Sequence, residues 1–87
     1  MKIKDGFMMR RIADMQVVVP VGDTGVDFNG VITLNDTAAF LFAKLSSEIS
    51  REALLEQLLE EYDIDAESAM EDIGQFLEQL EEANLLV

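Results

Sequence analysis

Carboxylates are the abundant reactive groups in this sequence: 18 Asp and Glu stand against 6 Lys and Arg, with no His and no Cys. Without His or Cys there is no nucleophile–base pair of the usual kinds, no thiol chemistry, no disulfide and no zinc site. The closest approach to a metal motif is Asp63-Ile64-Asp65-Ala66-Glu67, which places carboxylates at positions 1, 3 and 5 of a calcium loop. Such a loop also needs Gly at position 6 and Glu at position 12. Those positions hold Ser68 and Gly74, so the segment reads as a helix cap instead. Acid–base catalysis by paired carboxylates needs burial or close pairing to shift their pKa values. Most of the acids here fall on the polar faces of helical stretches. Gly22-Asp23-Thr24-Gly25 lacks the length and the Lys of a phosphate loop, and a turn accounts for it. The residues point away from an enzyme and away from any metal or cofactor.

What remains is charge and shape. The formal net charge is −12. All of the excess lies in residues 47–87, where Arg51 alone opposes thirteen carboxylates; residues 1–46 are balanced. A nucleic-acid binder needs cations to displace the counterions of phosphates, so this charge opposes DNA and RNA as partners. It opposes anionic membranes equally. No uncharged run approaches the ~20 residues of a membrane span, and the N-terminus lacks the apolar core of a signal peptide. The expected location is the cytoplasm. At 87 residues, 49% of them hydrophobic, the chain is expected to fold as a single domain over residues 1–87.

The elements that would position a site divide the chain in two. The first half has β character. Phe7–Ile12, then Ala13-Asp14 as a turn, then Met15–Val19 closed by Pro20, then Phe28–Leu34, predict a three-stranded antiparallel sheet. The second half has helical character. Asn35 or Asp36 caps a helix reaching Ser46, Ser50 caps a second, and Asp65 caps a third and longest. Ala66, Met70, Ile73, Leu77 and Leu80 run down one stripe of that third helix, widened by Ala69, Phe76 and Ala83. Asn84 stops it. Three strands, two short helices and a long third describe an α+β fold, a winged helix-turn-helix. Its usual work is binding DNA in the major groove, yet the third helix carries Glu67, Glu71, Asp72, Glu78, Glu81 and Glu82 with no cation.

Two features exceed what packing alone requires. Gly74 sits in mid-helix, where Gly costs about 1 kcal/mol relative to Ala. It serves either close helix packing or a ligand lying along the helix. The third strand leads directly into the helices and would present unpaired N–H and C=O groups beside the long helix. Such an edge either accepts a peptide as an added strand or is covered by a loop or a second copy of the chain.

Several segments in order resemble the PqqD family: Arg10; Val17-Val18-Val19-Pro20; Leu34-Asn35-Asp36-Thr37-Ala38; Glu60-Glu61-Tyr62; and Asp72-Ile73-Gly74-Gln75-Phe76-Leu77-Glu78-Gln79-Leu80. The resemblance spans roughly residues 7–86. Asn84 departs from it, since Gly is frequent there in the family. The resemblance implies a non-catalytic winged-helix domain that binds the leader of a ribosomally made precursor peptide. The leader would add as a strand at the third strand and pack on the third helix, and the domain would present it to a modifying enzyme, often a radical S-adenosylmethionine protein. Transferred to this chain, the peptide-binding residues would be Phe28, Val31, Ile32 and Thr33 of the strand and Met70, Ile73, Gly74, Phe76, Leu77 and Leu80 of the helix. The pattern does not sort those facing a groove from those facing the core. The acidity of the helix adds an expectation that the leader brings Lys or Arg to the groove rim. The competing readings are a winged-helix DNA regulator and a structural dimerisation subunit self-paired through its free edge; the domain itself is expected to be a monomer or a homodimer.

Overall fold

The computed structural model describes residues 1–22 and 32–87. Three strands, β1 (Phe7–Ile12), β2 (Met15–Pro20) and β3 (Ile32–Leu34), precede three helices, α1 (Asp36–Lys44), α2 (Arg51–Glu61) and α3 (Ala66–Glu82). The sheet is antiparallel in the order β1-β2-β3, as expected, with β1 and β3 at its edges. Of the expected third strand, Phe28–Val31 lies outside the described residues.

The β1–β2 register is set by a two-residue turn at Ala13-Asp14, which places Ile12 opposite Met15. Ala13 takes φ 56°, a left-handed conformation that favours Gly. Each helix starts at a side-chain cap that satisfies one of its free N–H groups. Asn35 Oδ1 accepts from Ala38 N–H at 2.8 Å, Ser50 Oγ from Ala53 N–H at 3.1 Å, and Asp65 Oδ1 from Ser68 N–H at 2.7 Å. The first helix stops at Lys44, short of the expected Ser46, where Ser46 N–H and the Ser46 hydroxyl both turn back onto Ala43 O in place of a further helical bond.

α3 ends in a Schellman motif. Leu85 N–H donates to Leu80 O at 2.9 Å and Asn84 N–H to Glu81 O at 3.0 Å, with Asn84 at φ 60°. Asn84 thus does the work of the Gly that the family resemblance led one to expect there. Lys4 Nζ fixes its side chain at 2.9 Å.

The core joins one face of the sheet to all three helices. Val18, Ile32 and Leu34 come from the sheet, Leu41, Phe42 and Leu45 from α1 and its end, Leu54 and Leu58 from α2, and Ala69, Ile73, Phe76, Leu77 and Leu80 from α3. Residues 1–4 close it. Ile3 is buried and forms a bridge to Leu86, Ile3 N–H donates to Leu45 O, and Lys4 N–H donates to Leu85 O. None of the described helices is long and apolar enough to cross a membrane.

Candidate peptide-binding groove

Where β3 ends, Asn35 turns the chain into α1, and a groove opens there between α1 and α3. Its walls are Asn35, Thr37, Ala38 and Leu41 on one side and Asp72, Gln75, Phe76 and Gln79 on the other, around a volume of about 130 Å³. The floor is apolar: Leu41 and Phe76 belong to the core, and Ala38 packs against it. The rim is polar, with the exposed Asp72, Gln75 and Gln79 on one stripe of α3. Gln75 Nε2 donates to Glu71 Oε1 at 3.4 Å, one turn back. An apolar cavity of about 150 Å³ holds a benzene ring, so the groove has room for one leucine-sized or aromatic side chain. The outer edge of β3, which no described strand pairs, leads into it.

The structure sorts the expected site residues. Phe28 and Val31 lie outside the described residues. Ile32 points into the core, and Thr33 is exposed on the opposite face of the sheet, across from Val17. Phe76 lines the groove. Met70 and Ile73 face the other flank of α3, where they line a depression with Arg51, Glu52 and Leu55 of α2. Leu77 and Leu80 are core residues, and Leu80 has no exposed surface. At Gly74 a Cβ would come within 3.1 Å of Arg51 Nη2, so its neighbour is the first side chain of α2.

The groove residues missed by periodicity are the polar ones and Ala38. Asn35, Thr37, Ala38, Asp72, Gln75 and Gln79 sit at positions an apolar stripe does not mark. The two segments that carry the strongest family resemblance, 34–38 and 72–80, form the two walls. That motif was the available signal.

Two carboxylates are held below their ordinary pKa. Asp65 is lowered by hydrogen bonds from Ser68, first its backbone N–H and then its side chain. Glu48 is lowered chiefly by its hydrogen bond to the N-terminal ammonium, 2.8 Å away. Both have structural partners outside the groove. Among the described residues no group of acids is placed to hold a metal ion.

The family model for coenzyme PQQ synthesis protein D (PqqD) matches residues 16–86, which include both groove walls. The chain belongs to the PqqD family. Curated protein sequences give no significant match. Among solved structures, the chain is similar to TbiB1 in complex with the TbiA(beta) leader peptide, at TM-score 0.75 and 24% identity, over 99% of this chain and 94% of that one. The PqqD-family chain and TbiB1 share one fold, the three-stranded antiparallel sheet followed by three helices.

Proposed function

We propose that this PqqD-family domain binds the leader of a ribosomally synthesised precursor peptide and presents it to a modifying enzyme. The observation that carries this reading is the groove between α1 and α3 at the edge of β3 that no described strand pairs. Strand addition there supplies main-chain hydrogen bonds, and the groove supplies a pocket for a side chain. The leader peptide bound to TbiB1, a protein of the same fold, supports it. The domain acts by binding and not by catalysis, and its partner is a radical S-adenosylmethionine enzyme. Its leader is apolar at the anchor and cationic beside it, because Asp72 stands at the rim and Glu71 and Glu78 lie on the same helix.

The test is an NMR titration with the leader peptide of a precursor whose gene is found next to the one for this chain. Shifts should concentrate in 32–41 and 72–79. Shifts confined to the β1–β2 hairpin and α2 would remove the groove, and no shifts at all would remove the function. Replacing Glu71, Asp72 and Glu78 with Gln, Asn and Gln should flatten the salt dependence of binding. An unchanged salt dependence would leave only the apolar anchor.

A further inference from the structure

A peptide added at β3 runs out of main-chain partners where the strand ends. Past Leu34 the chain turns into α1, and there the backbone serves the helix: Asn35 O accepts from Ala39 N–H at 2.9 Å. A strand that continues over the groove leaves its C=O and N–H groups to side chains, and groups that find none weaken binding. Asn35 stands at that point. It is exposed, it lines the groove, and its Oδ1 accepts from Ala38 N–H at 2.8 Å as the cap of α1. Of the two ends of a carboxamide only the oxygen accepts, so the cap fixes which way the group is turned. Nδ2 is left with two N–H donors and no partner among the described residues. Capping alone does not call for a carboxamide. Ser and Asp cap about as well, and Ser50 and Asp65 do so for α2 and α3.

The opposite wall offers the reverse. Gln75 Nε2 donates to Glu71 Oε1, and because an ionised carboxylate only accepts, Gln75 Oε1 is the end left over. The α1 wall thus has a spare donor and the α3 wall a spare acceptor, with the apolar floor between them. A trans peptide group points its C=O and its N–H in opposite directions. One such group crossing the groove is matched on both sides.

We infer that Asn35 selects the register of the bound leader: its Nδ2 donates to a leader main-chain carbonyl just beyond the stretch that pairs with β3. This rests on the function proposed above and adds a requirement to it. An anchor in the pocket and a carbonyl at Asn35 must be met by the same strand. A slip of one residue turns the anchor and the carbonyl to the wrong sides. The capping residue of α1 therefore holds the helix with one end of its carboxamide and the peptide with the other.

The test reads Kd by fluorescence anisotropy with a fluorescein-labelled leader peptide of a precursor whose gene is found next to the one for this chain. Salt of about 0.5 M screens charge at the rim. Asn35→Asp and Asn35→Ser both keep a cap for α1, so their melting temperatures should stay near the wild-type value. Their Kd should nevertheless rise about three- to ten-fold. In a second arm, thioamides, which accept hydrogen bonds more weakly than amides, replace the leader's peptide groups one at a time. One position should weaken binding to the wild type by a similar factor and have no effect on binding to Asn35→Ser. An unchanged Kd in both variants would mean that Asn35 only caps the helix, and it overturns the inference. So does a loss confined to Asn35→Asp, which is an effect of the added charge. A thioamide scan in which no position depends on Asn35 also overturns it, since the donor then serves a side chain or water. A wild type that does not bind the leader at all would remove the function proposed above, and this role of Asn35 with it.

Discussion

Ala38→Phe puts a ring into the space proposed above for the leader's anchor. Ala38 is in the first turn of α1, half-buried, with its side chain on the groove and its N–H held by Asn35. The substitution leaves that backbone bond in place. It costs at most about 0.7 kcal/mol in helix propensity. A phenyl ring occupies most of a groove of about 130 Å³. An anchor of Leu or Phe size is worth about 1.5–3 kcal/mol when fully buried. Excluding it should raise the leader's Kd about ten- to 150-fold. Fluorescence anisotropy with a labelled leader peptide reads the Kd, and circular dichroism reads the melting temperature. An unshifted melt with an unchanged Kd would show that no side chain enters the groove, and the reasoning from its shape would fail.

Leu80→Ala should destabilise the fold by about 2–5 kcal/mol without direct effect on the peptide site, because Leu80 is fully buried and away from the groove lining; denaturant unfolding measures it, and a milder loss would mean the core collapses around the cavity. Gly74→Ala should stabilise by about 0.5–1 kcal/mol, provided the exposed Arg51 guanidinium yields the few tenths of an ångström that its 3.1 Å approach demands; a lower unfolding midpoint would show that Arg51 is held. Asp65→Asn should keep the α3 cap but remove its titration. Because hydrogen bonds from Ser68 lower the folded pKa of Asp65, the carboxylate's contribution is complete above its unfolded pKa of about 3.9 and is lost as pH falls through the lower folded value. The stability difference between wild type and variant, followed by unfolding from pH 7 downward, should therefore shrink in that acid range, and a constant difference would contradict the assignment.

The helices were legible because their signals are local. Ser50 and Asp65 announce their N–H partners three residues on, and the stripe from Ala69 to Leu80 faces the core as its spacing demands. β1 and β2 were legible from valine content and a two-residue turn. The groove was legible only in outline. Leu77 and Leu80 belong to the same apolar stripe as Phe76, and nothing in a 3.6-residue period tells the side chain at a groove from those beneath it. The polar rim of Asp72, Gln75 and Gln79 resembles any solvated helix face until α1 is placed opposite. The pairing of Ile3 with Leu86 left no trace at all, because its partners are distant in sequence and neither segment has a strand's pattern.

That pairing has a consequence for affinity. Ile3 N–H binds the carbonyl of Leu45, just past the end of α1, and Lys4 N–H binds that of Leu85, just past the end of α3. Two neighbouring residues, Ile3 and Lys4, thus span the far ends of the two helices that wall the groove. They tie the two walls to each other at that end before any peptide arrives. A peptide entering between walls already tied does not have to order its own site, so the entropy of assembling the site is lost once, on folding, and not at each encounter. Ile3 and Lys4 stand outside the groove lining, yet through the helix ends they act on both of its walls.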